Sequence, residues 1–277
     1  MAGKRVSFSW PWMVLLALGL LGLAAQFGAF QDPYAQSFLL RNQAPSINHW
    51  LGTDLFGRDL LARLAHGAWI TLSVALGATL TALLCGAVTA LIACVIGGWF
   101  RAAIFSVFDL LRTLPSILLG LVIMTSVGAG TSAVIMAIGI TFAPLLAYVT
   151  AGAYDRERVA GYMVSARLLG GGRFDVIYKH LVPNIVGTLL VQIVIVIPRA
   201  ITTESVLSFL GLGVAPDTPT WGRIIATSSD YAEQAPWGLV LPVACLALTT
   251  LALSILGQRI NRTMQFGLDE NQRSRDE

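Results

Sequence analysis

Charge is what this sequence has least of. Asp, Glu, Lys and Arg make up 12% of its 277 residues, against roughly 25% in an ordinary soluble domain. That scarcity excludes a solvated globular fold. Cysteine is almost absent, and Cys85, Cys94 and Cys245 all lie in apolar runs, where they read as small buried hydrophobes. They offer neither a disulfide framework nor metal spacing. His49, His66 and His180 are scattered, with no carboxylate or cysteine at ligand spacing, so no metal is assigned. Convergent nucleophile, base or metal ligands of the kind an intramembrane enzyme needs are also missing. No Gly-x-x-x-x-Gly-Lys-[Ser/Thr] loop occurs, which excludes nucleotide hydrolysis by that route.

What the chain has is apolar length: 56% of its residues are hydrophobic and its mean hydropathy is +0.73. A membrane span needs about 20 apolar residues, and only helices or closed barrels satisfy their backbone there. Long uninterrupted runs point to helices. Six spans are expected, near 10 to 30, 68 to 98, 105 to 127, 132 to 153, 184 to 209 and 237 to 258. The first reads as a span rather than a cleaved signal peptide, because its apolar core is long for one and no small-x-small site follows.

Charge placement then sets the orientation. With a cytoplasmic N-terminus, thirteen of the 18 Lys and Arg fall inside and five outside or near the outer surface, namely Arg41, Arg58, Arg63, Arg199 and Arg223. The positive-inside rule therefore places both termini in the cytoplasm. Residues 1–9 and 263–277 become cytoplasmic ends. Segments 31–67 and about 210–236 face outward, and 68–262 form the core. Within the first outer segment, "GRDLLARLAHGAWI" (57 to 70) reads as a surface helix turning into the membrane near Gly67.

Three polar features stand out in the spans. Ser73, Gly77, Thr81 and Cys85 recur every fourth residue as a ridge of small side chains suited to close helix packing, within this chain or against a second subunit. Gln192, next to Val191, and then Arg199 and Glu204 beyond Pro198 are candidates for lining a path. At 1.5 Å per residue from Asn184, Arg199 lies about 22 Å and Glu204 about 30 Å along the helix. An arginine snorkelling beside its nearby carboxylate and a polar patch on a water-filled cavity both fit. Asp109 and Arg112, three apart, are expected to form a local ion pair.

The most patterned polar stretch is "YMVSARLLGGGRFDVIYKHLVPN", 162 to 184. As a helix over 159 to 170, it puts Val159, Tyr162, Met163, Ala166 and Leu169 on one stripe, an anchoring face. The opposite face carries Gly161, Val164, Ser165 and Leu168 where a solvated helix would carry charge. Gly170 to Gly172 end the helix, because glycine takes the left-handed C-terminal geometry without penalty. A short second helix with Phe174, Ile177, Tyr178 and Leu181 on one stripe follows, and Pro183 fits the first turn of the next span. Docking of a partner and rest on lipid headgroups are both open to such an elbow.

This segment resembles the cytoplasmic EAA loop of ABC transporter permeases, with Val164, Ser165 and Ala166 in the triplet, Gly170 as the glycine and Leu181 to Pro183 as the ending. "HWLGTDLFGRDLLARLAHGA" (49 to 68) and "ESVLSFLGLGVAPDTPTWGRII" (204 to 225) resemble stretches of the dipeptide, oligopeptide and nickel permeases, in their C-type subunit. The resemblance spans about 46 to 262. It implies an all-α, type I importer permease fold with six transmembrane helices and a cytoplasmic coupling loop at about 155–182 in a bacterial inner membrane. Implied partners are a homologous second permease, two cytoplasmic ATPases that bind ATP and Mg, an extracytoplasmic substrate-binding protein and membrane lipid. No cofactor is expected on this chain, and no nucleic acid. ATPase coupling is carried over to Tyr162, Val164, Ser165, Ala166, Arg167, Leu168, Gly170, His180 and Pro183. Val164 replaces the family glutamate, so no ionic contact is expected there, and Trp69 and Gln258 stand where the family often has Arg and Asp. The rival reading, a secondary transporter or channel working alone, would show inverted repeats or broken helices with ionisable residues at mid-membrane.

Overall fold

The computed structural model describes residues 10–276 other than 129, 169–171, 173, 174, 176 and 216. Side chains are described as far as 262, outside 164 and 166–168. Apart from one isolated bridge between Thr53 and Asp59, the described regular structure is helical. The helices are α1 (Trp10–Gln26), α2 (Leu60–Ile96), α3 (Gly98–Thr113), α4 (Ser116–Val127) and α5 (Thr131–Glu157). They continue with α6 (Gly161–Leu168), α7 (Ile177–Phe209), α8 (Trp221–Ser229) and α9 (Pro236–Asp276). The architecture is all-α.

Among the described residues four helices are long and apolar enough to cross a membrane: α2, α5, α7 and the Pro236–Arg262 part of α9. The pair α3 and α4 makes a fifth only as a bent span, turning 100° at its break. This corrects the expected single span 105 to 127. Pro115 denies a helical conformation to Leu114, which is extended at φ −88°, ψ 136°. α1 is apolar but only 17 residues long.

A second correction concerns Gly67. α2 runs for 37 residues and does not turn there, so the expected surface helix is its first part. Gly67 instead admits the Trp221 ring, since a Cβ would lie 3.1 Å from Trp221 Cδ1. Pro198 lies inside α7, which continues through it to Phe209.

The ridge of small residues divides. Residues four apart drift about 40° around a 3.6-residue helix, so three such steps swing the face by about 120°. Gly77 faces Ile135 and Thr81 fits against Gly139 of α5. Ser73 and Cys85 are exposed. A π-turn at Leu83–Val88 widens α2 locally and brings Gly86 under the Ala143 carbonyl, so close that a Cβ would sit 2.1 Å from its oxygen. Gly77, Thr81 and Gly86 thus pack on α5 of the same chain. Gly86→Val is expected to cost about 1–3 kcal/mol by overpacking, visible as a lower thermal midpoint of the detergent-purified protein.

At the end of the bundle where α2 begins, a compact polar knot ties the 31–59 segment down. Asp54 accepts from the backbone N–H of Phe56 at 2.8 Å, from that of Arg58 at 3.0 Å, and from Arg58 Nε at 2.7 Å. Arg63, 1% exposed, lies with its Nε 3.5 Å from Asp54 and donates from Nη1 to the Pro33 carbonyl at 3.0 Å. Asp59 caps α2 through the Ala62 N–H at 2.7 Å and meets His49 Nδ1 at 2.9 Å. The motif 49 to 68 therefore builds a closed cap, and Arg58 and Arg63 are spent within it.

Candidate functional site: a cavity and an elbow on one helix

Two features share α7. At its start lies the elbow, where α6 follows α5 almost at once, with Ala160 N–H bonded to the Glu157 carbonyl at 3.0 Å. Met163 is buried against Ala153, Leu181 and Ile185. The Tyr162 hydroxyl donates to the Glu157 carboxylate and accepts from Asn184 Nδ2 at 3.0 Å, while the same amide donates to the His180 carbonyl at 2.6 Å. One phenol thus joins the end of α5, the surface helix α6 and the first turns of α7.

α6 starts at Gly161, and Val159 before it is 68% exposed and off the anchoring stripe. Among the described residues of the stripe, Tyr162 and Met163 carry the contact. Tyr178, expected beside Leu181, is 76% exposed. The cause is a π-turn at Ile177–Leu181, whose wider pitch takes residue 178 off the stripe. Ser165 and His180 are exposed, and Pro183 occupies the first turn of the regular α-helix that continues α7. The side chains of Val164, Ala166, Arg167 and Leu168, together with Leu169, Gly170 and Phe174, lie outside the described residues. Beside the elbow, Arg101 of α3 clasps Asp155 of α5 with two bonds of 3.0 and 2.6 Å. Among the described residues no ion pair joins Asp109 to Arg112. Asp109 accepts from the Tyr148 hydroxyl at 2.5 Å, and Arg112 stacks 4.7 Å from the Tyr148 ring centre.

Further along α7 is a cavity of about 650 Å³, within the roughly 300–1,000 Å³ usual for small-solute sites. Its walls are one stripe of α7, with Ile195, Arg199 and Thr202 at helical spacing, and one of α9, with Thr250, Ser254 and Gln258. Ser116 of α4 and Phe142 of α5 close it. Among the described residues Arg199 is the only charged side chain in this lining, and it forms no ion pair. The α9 stripe was missed in the sequence, although its spacing of four was there to be read.

The expected neighbourhood of Arg199 and Glu204 is not found, because they leave the helix on different faces. Glu204 is 0% exposed and absent from the cavity lining. Its carboxylate accepts from Ser208 Oγ at 2.6 Å and Ser205 Oγ at 3.4 Å, with the hydroxyls of Thr220 and Thr71 also bonded to it. Thr220 caps α8 and Thr71 belongs to α2. Through these bonds Glu204 ties three helices together. Gln192 is half-buried, one turn before Ile195 and outside the lining.

Residues 82–267 match the family described as the binding-protein-dependent transport system inner membrane component. The chain belongs to this family. It is 33% identical to the di/tripeptide transport system permease protein of Pseudomonas aeruginosa (strain UCBPP-PA14) over 252 residues, 88% of this chain and 83% of the relative. It is 32% identical to the glutathione transport system permease protein of Pectobacterium atrosepticum over 216 residues, 78% and 72% of the two chains. In fold it resembles a chain of the MetNI methionine ABC transporter in an inward-facing conformation, with TM-score 0.57 at 17% identity over 72% of this chain and 96% of that one. The chain is a multi-pass permease subunit of an ABC importer, and such a subunit works with ATPase and substrate-binding components.

Proposed function

We propose that this permease forms half of a path for short peptides, completed by a homologous second permease and driven by two ATPases docked on the elbow at about 155–182. The observation that carries this reading is that α7 bears both parts: the Tyr162–Asn184 junction at its start and the Arg199 stripe of the cavity beyond. A push on α6 thereby reaches the cavity wall through one helix. The relatives named for di/tripeptides and glutathione support the peptide class. An extracytoplasmic binding protein delivers the peptide. ATP and Mg are held by the ATPases, and this chain binds no cofactor and performs no catalysis. It sits in the bacterial inner membrane with both termini in the cytoplasm.

Val164, Ser165 and Leu168 form the face offered to the ATPase, where valine in place of glutamate makes the contact apolar. Arg167 and His180 flank it, Ala166 belongs with Tyr162 to the anchoring face, and Gly170 is the joint. Gly170→Val is expected to leave insertion and subunit assembly intact while reducing both peptide uptake and peptide-stimulated ATP hydrolysis, because a β-branched residue resists left-handed backbone geometry. Uptake and hydrolysis in reconstituted vesicles check this, and retention of both would refute the lever. The wider reading is tested by purifying the tagged chain from its native membrane, which should bring a second permease and ATPase subunits with it.

A further inference from the structure

The cavity wall has an asymmetry of hydrogen-bonding character. Thr202 Oγ1 donates to the Pro198 carbonyl at 3.0 Å and Thr203 Oγ1 to the Arg199 carbonyl at 2.9 Å. Thr250 Oγ1 donates to the Leu246 carbonyl at 2.8 Å and Ser254 Oγ to the Thr250 carbonyl at 2.7 Å. A hydroxyl has one proton, and each of these has given it to its own helix. What remains toward the cavity is lone pairs.

Arg199 is the opposite. Its guanidinium carries only donors in a planar fork and stays charged at any physiological pH. Within a span such a cation costs several kcal/mol unless water or an anion receives it. It is exposed, faces this cavity, and among the described residues no carboxylate stands in the lining beside it. Apart from the amides of Gln258 and Asn261, which carry both donors and an acceptor, the walls therefore present one fixed cationic fork and several neutral hydroxyl acceptors.

Building on the peptide reading above, we propose that Arg199 is a specificity-determining residue that receives the free C-terminal carboxylate of the transported peptide. The fork matches a carboxylate with two parallel bonds. The acceptor hydroxyls of Thr202, Thr250 and Ser254 suit the other end of the same solute, the ammonium and peptide N–H groups, which are donors only. A zwitterionic backbone is thus matched without reference to its side chains.

The test uses the complete transporter, with its second permease, ATPases and binding protein, reconstituted in vesicles. Uptake of dialanine is compared with uptake of dialanine C-terminal amide, each at a concentration shown separately to saturate the binding protein. The wild type is expected to import the free acid at least about tenfold faster than the amide, and Arg199→Gln to slow the free acid by about tenfold to a hundredfold while leaving the amide within about twofold. Arg199→Lys, which keeps charge but loses the fork, should fall between. Assembly of each variant is checked by gel filtration. Unchanged selectivity in Arg199→Gln, or a parallel loss of both substrates, overturns the proposal and assigns Arg199 to packing or to a carboxylate of the second permease. If the wild type imports neither peptide while hydrolysing ATP, the peptide reading itself fails, and this inference with it.

Discussion

Asp54→Ala is expected to destabilise the protein by about 3–5 kcal/mol, the cost of leaving buried charge without its partner. Asp54 faces Arg58 at 2.7 Å and Arg63 at 3.5 Å, and both arginines are almost wholly buried. Alanine removes their shared counter-charge together with the acceptor for two backbone N–H groups. Neither arginine can discharge by losing a proton, so the knot must open toward water. Asp54→Asn keeps a side-chain oxygen for the backbone donors and should recover part of the loss. Thermal unfolding in detergent, with proteolysis in the 31–59 segment as a local readout, measures both. A midpoint unchanged in Asp54→Ala would show that the knot contributes little.

Glu204→Leu carries the next largest effect, about 2–5 kcal/mol, because each buried polar group left unpaired costs about 1–3 kcal/mol. Four hydroxyls converge on this carboxylate from α7, α8 and α2. Some can turn to carbonyls on their own helix, as Thr202 and Thr250 do, which holds the total below a simple sum. Thr220 is less free, since its oxygen caps α8 by accepting from the Arg223 N–H. Glu204→Gln retains one acceptor of the same shape and should lose much less. The two variants are compared by thermal midpoint and by uptake. A path residue would lose transport in both with stability intact, whereas a knot loses stability in Leu and spares Gln.

The distinction between Arg199 and Glu204 shows where sequence reasoning ran out. Five residues apart, they turn about 140° from one another on a helix, and only the packing of α8 and α2 on one side and the void beside α9 on the other give those directions their meaning. Of the α7 stripe only Arg199 was picked out, and the matching stripe of α9 was a pattern of hydroxyl residues in an apolar run. Such residues normally bond to their own helix, and nothing local says that they also face a cavity. Tyr162 was placed on an anchoring face from its period. Its partners Glu157 and Asn184 belong to the flanking helices, and no spacing rule connects three segments. Both π-turns escaped notice for a related reason: a widened turn is stabilised by what it packs against, here Ala143 over Gly86.

By itself, then, the sequence determined the medium and the class: apolar runs too long for a water-soluble fold, helices to satisfy their backbone, an elbow punctuated by glycine, and motifs that belong to one permease family. These are local or compositional properties, set by hydrophobicity and by backbone geometry within a few residues. Tertiary structure alone decided which small residues meet α5, that Asp54 neutralises two arginines, and that Arg199 faces a cavity while Glu204 is sealed from it. Those outcomes depend on contacts between segments far apart in the chain, and their energies exist only once the helices have packed.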